Sequence, residues 1–110
     1  MRIGSGSHTY QFIDHWADIP DTESSRTGWA HHGVVVSETG SVIAFHQGDP
    51  TVLVFDPDGK VERSWNTTIQ NAHGMALVKE GNTEYLWMAC NDTGQVLKTT
   101  LDGQTVMGIE

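Results

Sequence analysis

The chain has 110 residues and a formal net charge of −8, from 6 Lys and Arg against 14 Asp and Glu, with no two basic residues adjacent. That length allows one small domain, and the acidic balance argues against electrostatic capture of nucleic acid or of an anionic membrane. No apolar run approaches the length of a bilayer span, Met1–Ser7 lacks the apolar centre of a signal peptide, and the single Cys90 excludes an intramolecular disulfide. The expectation is a soluble protein, cytoplasmic by default.

Charged residues make up only 18% of the chain and Gly supplies 12 positions, which favours a turn-rich globular chain over a helical bundle or a disordered tail. Residues 8–30 combine a strand-like stretch, Tyr10–Trp16, with a polar loop from Asp18 to Trp29. Alternation places Tyr10, Phe12, Asp14 and Trp16 on one face of that strand. Pro20, Asp21, Ser24, Ser25 and Gly28 are turn formers. Short strands follow: Val34–Val36, Ser41–Phe45, Thr51–Phe55 and Lys60–Trp65. Between the last two, Asp56-Pro57-Asp58-Gly59 presets one backbone angle with Pro and supplies a positive one with Gly. No stretch carries a convincing 3.6-residue apolar period, so the predicted class is all-β.

The segment 72–110 then repeats the segment 31–66. His32-Gly33-Val34-Val35-Val36 returns as His73-Gly74-Met75-Ala76-Leu77, 41 residues later, and Ser41–Phe45 returns as Glu84–Met88. Asp58-Gly59 returns as Asp102-Gly103, 44 residues later. Four short strands per unit at a period of about 40–45 residues is the pattern of propeller blades; a small β-sandwich with two similar halves is the alternative. The expected fold is a partial β-propeller: two four-stranded blades, with the 8–30 strand as an N-terminal closing strand. Propellers close with about 4–8 blades. The chain is therefore expected to be a fragment of a longer protein, with self-assembly of copies into a ring as the other possibility. Exposed strand edges such as Val34–Val36 and Met75–Leu77 would favour self-association.

His32–Trp65 and His73–Asp102 resemble the NHL-type six-bladed propellers, and within these the peptidyl-α-hydroxyglycine α-amidating lyases and their bacterial relatives. Two motifs carry the resemblance. One is Gly33-Val34-Val35-Val36, a turn, then Val42-Ile43-Ala44-Phe45-His46-Gln47-Gly48-Asp49; the other is Ala72-His73-Gly74-Met75-Ala76-Leu77. The resemblance implies that His73 is one of three histidines holding a zinc ion in a central channel. It further implies that the backbone carbonyls of Val34 and Met75 bind a structural calcium, and that a small molecule or peptide occupies the channel. Gln47 stands where the lyases have an arginine, and a neutral amide supplies neither that charge nor its bidentate fork. The implied function is a metal-binding propeller with altered or lost lyase chemistry. The alternative is a non-enzymatic NHL-type propeller that binds a protein or peptide partner.

The same residues have plainer readings. His32 and His73 occupy one position in successive units and so can approach each other; imidazole suits zinc, but a hydrogen-bonded structural role fits equally. His46 and Asp49 suit acid–base work or substrate binding beside Gln47, or they form a packed turn with Pro50. Asp56, Asp58, Asn91, Asp92 and Asp102 lack a calcium-loop spacing and read as solvated turn acids. Trp65 and Trp87 are expected in the core. Cys90 is expected to be a small buried hydrophobe with nothing nearby to lower its pKa.

Overall fold

The structure, a computed structural model, describes residues 1–28, 32–46 and 48–110. Its first two strands, β1 (Arg2–Ser5) and β2 (His8–Gln11), form an antiparallel hairpin and pair only with each other. The turn uses Gly6 at φ 60°, a conformation that favours glycine. The strand expected over Tyr10–Trp16 therefore ends early, and the N-terminal region holds a hairpin instead of a lone strand. The chain turns at Asp14 and His15 because Trp16 is drawn onto the first sheet. There its ring meets Phe55 at 6.0 Å, and its indole N–H donates to the Pro57 carbonyl at 3.2 Å. Asp18 adds a backbone bond to the Gly59 carbonyl at 2.8 Å.

A five-residue helix, α1 (Glu23–Thr27), lies within the stretch expected to be loop. It is held by a reciprocal cap: the Ser25 N–H donates to Thr22 Oγ1 and the Thr22 N–H donates to Ser25 Oγ. Asp21 and Arg26 add a bidentate ion pair at 2.7 and 2.9 Å.

Two four-stranded antiparallel sheets follow, each a simple meander. The first contains β3 (Val34–Val36), β4 (Val42–Phe45), β5 (Val52–Phe55) and β6 (Val61–Trp65). The second contains β7 (Ala72–Glu80), β8 (Thr83–Cys90), β9 (Val96–Thr100) and β10 (Thr105–Ile109). Neither closes into a barrel. The all-β class holds, and the two sheets are copies of one another in strand register. Val42 pairs with Phe55 as Leu86 pairs with Thr99, and Val52 pairs with Trp65 as Val96 pairs with Ile109. Even the β-bulge recurs: the register slips between Val54 and Phe55 in one sheet and at Lys98 and Thr99 in the other.

From β4 to the end of the repeat the offset is 44 residues throughout, so Ile43 corresponds to Trp87 and Phe45 to Ala89. This corrects the sequence alignment of Ser41–Phe45 with Glu84–Met88, which is one residue out of step. A one-residue slip moves every side chain to the opposite face of a strand. The extra residues lie in the β7–β8 hairpin, whose strands run longer than their counterparts.

One face of each sheet contributes to a shared core. Ile43, Phe45, Val52 and Val54 from the first sheet meet Leu86, Met88, Cys90 and Leu97 from the second, with Ile69 and Ala72 from the connection between them. Trp65 packs against this core as expected. Trp87 does not join it: it lies half-buried on the opposite face of its sheet, because the face that the second sheet turns to the core is that of Leu86 and Met88, between which Trp87 alternates. At the edges, Lys79 pairs with Glu38 at 2.8 Å and Arg63 with Asp102 at 3.0 Å across the two sheets. Exposed pairs like these contribute little, typically about 0–1 kcal/mol. The apolar core carries the association.

Candidate functional site

The two sheets meet most closely where β3 and β7 begin. The Gly33 N–H donates to the Ala72 carbonyl at 3.4 Å. A Cβ on Gly33 would lie 2.7 Å from Met75 Cγ and 3.1 Å from the His73 carbonyl oxygen, so only glycine fits this crossing. Immediately before it, His32 and His73 approach with ring centroids 5.4 Å apart at an interplanar angle of 61°. The His32 ring also meets the Phe45 ring in a T-shaped contact, with centroids 5.3 Å apart. The sequence expectation that the two histidines share a position in successive units is met in space. Two imidazoles on one tetrahedral zinc, with Zn–N near 2.1 Å, hold their centroids roughly 5–5.5 Å apart, a spacing that edge-to-face packing of two rings also gives. Among the described residues no group of three or more His, Cys, Asp or Glu is placed to hold a metal. A structural or catalytic zinc needs at least three protein ligands, so this pair alone is not a complete zinc site.

Val34 lies on the edge strand of its sheet. The Phe45 N–H donates to the Gly33 carbonyl at 3.2 Å, so the Gly33 carbonyl is directed at β4. Alternation along an antiparallel ladder then leaves the Val34 carbonyl directed to the open edge. Met75 is its register counterpart on β7, the edge strand of the other sheet. Both carbonyl positions assigned to calcium by the resemblance thus lie on the edge strands that border each other. Two carbonyls are far short of the six to eight oxygens calcium takes.

His46 is buried, with Nδ1 3.1 Å from the Pro50 carbonyl and its backbone N–H on the Thr51 carbonyl. A carbonyl can only accept, so Nδ1 carries the proton in this bond. The residue packs against the Asp49–Pro50 turn. Gly48 fits beneath the imidazole, where a Cβ would lie 2.7 Å from His46 Cε1 and 2.8 Å from the Ser25 nitrogen. Asp49 is exposed; its N–H donates to Ser24 Oγ at 2.9 Å, tying the turn to α1. His46 and Asp49 are therefore both built into the α1 docking site. Gln47, like Trp29, lies outside the described residues.

Between this turn and the Trp16–Ile19 segment opens a cleft of about 200 Å³. Its walls include Ala17, Ile19, His32, Ala44, His46 and Phe55. The cleft brings His32 and His46 to one concave surface that is otherwise apolar. Sequence reasoning paired His46 with Asp49 and did not foresee this wall, because Trp16–Ile19 reaches it only through tertiary packing.

Cys90 is buried in the shared core as expected. Burial pushes its thiol up. Hydrogen bonds from the Thr93 side chain and from the backbone of Thr93, Asp92 and Asn71 outweigh that, and the thiol lies below its ordinary value. The sequence contained no signal for this, since backbone donors replace the Lys or Arg that would mark a lowered cysteine. A second arrangement missed from sequence is Lys98. Its ammonium binds both Glu80 oxygens at 2.7 and 2.8 Å and sits 4.3 Å from the centre of the Tyr85 ring.

No family model matches the chain, and no curated protein or solved structure shows significant similarity to it.

Proposed function

We propose that the chain is a two-blade segment of a propeller of the NHL kind, with β3–β6 and β7–β10 as successive blades. In this reading His32 and His73 face the axis and contribute to a zinc site completed by further residues. Three features support it. The two meanders share one strand register down to the bulge, their first strands lie against each other, and the His32 and His73 rings lie side by side with centroids 5.4 Å apart. The imidazole pair is the observation that carries the metal assignment. A zinc held there would act as a Lewis acid on a polar substrate group. Gln47, in the place of the lyase arginine, argues for chemistry other than amidating lysis. The carbonyls of Val34 and Met75, on adjoining edge strands, are the corresponding candidates for calcium.

A binding role without catalysis is the second reading, favoured by His46, whose ring is committed to the Pro50 carbonyl and is packed as a structural group. In that case the cleft and the surrounding turns receive a peptide or protein segment.

Zinc titration followed by native mass spectrometry separates the two. The metal reading expects one zinc per chain or per closed assembly, with binding weakened at least tenfold in His73→Ala and in His32→Ala while far-UV circular dichroism is unchanged. Uptake by both variants equal to that of the wild type, or failure of the assembly that completes the site to take up zinc, overturns the metal reading and leaves the binding role.

A further inference from the structure

His46 brings one uncommitted polar atom to the cleft beside the first sheet. The residue is only 8% exposed. Its Nδ1 proton is taken by the Pro50 carbonyl, and its Cε1 lies against Gly48. The ring edge left to line the cleft is therefore that of Nε2 and Cδ2. With the proton on Nδ1, Nε2 of the neutral ring is an acceptor. Among the described residues nothing donates to Nε2, and the atom is not sealed inside the protein, so it opens onto the cleft. An acceptor this deep without a donor is unfavourable, and a ligand that supplies the donor is favoured by the difference.

The cleft sets the size and character of such a ligand. Its volume of about 200 Å³ exceeds the roughly 150 Å³ of an apolar cavity that accepts benzene. It therefore has room for one aromatic ring with one or two further heavy atoms. Phe45, Phe55 and His32 bring rings to its wall, and Ala17, Ile19 and Ala44 bring aliphatic surface. Rings packed on rings gain beyond the area they bury. Among the described residues the wall carries no Lys, Arg, Asp or Glu, which disfavours a charged ligand. Water is a poor competitor, because a well-held water wants two to four polar partners. Displacing a poorly held one with an apolar group favours binding.

We propose that this cleft binds a neutral phenolic group, with the hydroxyl donating to His46 Nε2 and the ring held against Phe45, Phe55 and Ile19. The phenol is supplied by a free small molecule or by a tyrosine side chain of a bound peptide. The site follows from the cleft and the His46 tautomer, and needs neither zinc nor the propeller assignment. Failure of zinc uptake therefore leaves it standing. Its tyrosine form rests on the binding role given above and names the side chain that the cleft would take.

Titration of the full chain with p-cresol, followed by amide chemical shifts, tests it. Saturable shifts are expected at Ala17, Ile19, Ala44 and Phe55. The methyl ether of p-cresol keeps the ring and loses the donor. It should bind roughly three- to tenfold more weakly, the worth of one hydrogen bond. His46→Phe removes the acceptor and should abolish that preference. Ile19→Trp, at a position 51% exposed, should weaken p-cresol by about tenfold, since it fills the space the ring needs. The ether comparison needs no variant, so it decides the matter even if His46→Phe fails to fold. N-acetyltyrosinamide separates the two sources. Its binding at the same amides marks a peptide tyrosine; its exclusion marks a free phenol, which keeps this proposal and sinks the peptide reading. The proposal is overturned by p-cresol producing no saturable shifts, by shifts confined to other residues, or by equal affinity for the ether.

Discussion

The first sheet is covered on both faces, and the second on one. Ile43, Val52 and Val54 face the shared core, while Leu53 and Phe55, on the opposite side of the first sheet, are 1% and 3% exposed and lie outside that core. Cover for them comes from Trp16, Ala17 and Ile19, which run across the far face and are tied to the Asp56–Gly59 turn. Among the described residues no such segment crosses the second sheet, although its strands follow the same register. The two copies of one meander differ in their neighbours far more than in their strands. Burial in a sheet protein is therefore a property of what lies across the face, and the residue pattern alone does not set it.

The largest test of this contrast is a pair of register counterparts. Ile43→Ala, at a position with no exposure, should cost about 3 kcal/mol. Trp87→Ala, at the corresponding position on the open face, should cost about 1–2 kcal/mol despite removing a larger side chain, because it is half-buried. Urea denaturation at a concentration where the chain is monomeric measures both. Equal losses would break the contrast.

The two strand glycines sharpen it at smaller scale. Gly33→Ala should destabilise the chain by about 1–3 kcal/mol, since the new methyl meets Met75 and backbone at the sheet crossing. Gly74→Ala should be neutral or stabilising by up to about 1 kcal/mol in the monomer, because it restricts the unfolded chain and meets no obstacle. The same denaturation series gives both values.

The smallest effect lies outside both sheets, at α1. The Arg26 guanidinium holds the Asp21 carboxyl below its usual range. A depressed carboxylate contributes stability above its unfolded pKa, near 4, and loses it as pH falls through the lower folded value. Both groups are exposed, so the stability change is slight. Carbon-detected titration should show the Asp21 pKa rising toward the ordinary value in Arg26→Ala. No movement would mean that the bidentate pair does not persist in solution.

Much of the fold was legible in the sequence. Short runs of Val, Ile and Phe between glycine-bearing turns specified the eight strands of the two meanders, and the recurrence of His-Gly and Asp-Gly marked their repetition. The alignment slipped by one residue because the β7–β8 hairpin closes with a different length. Trp87, expected in the core as a mid-strand aromatic, lies outside it because the second sheet turns its Leu86 and Met88 face to the first. The helix α1 was missed although its cap was written as Thr22-x-x-Ser25, since the usual acidic partner is absent there. At the candidate site, the adjacency of His32 and His73 followed from their equivalent positions. The pinning of His46 by Pro50 did not, because it depends on how α1 and the 48–50 turn dock.

The sequence by itself determined the strand-and-turn rhythm and the repetition of the unit, because period-two alternation and turn chemistry act over a few residues. Only the tertiary structure decided which faces are covered, that Trp16–Ile19 crosses the first sheet, and that Gly33 is crowded while Gly74 is open. These depend on contacts between residues far apart in the chain, and the local pattern is the same whether or not a neighbour is present.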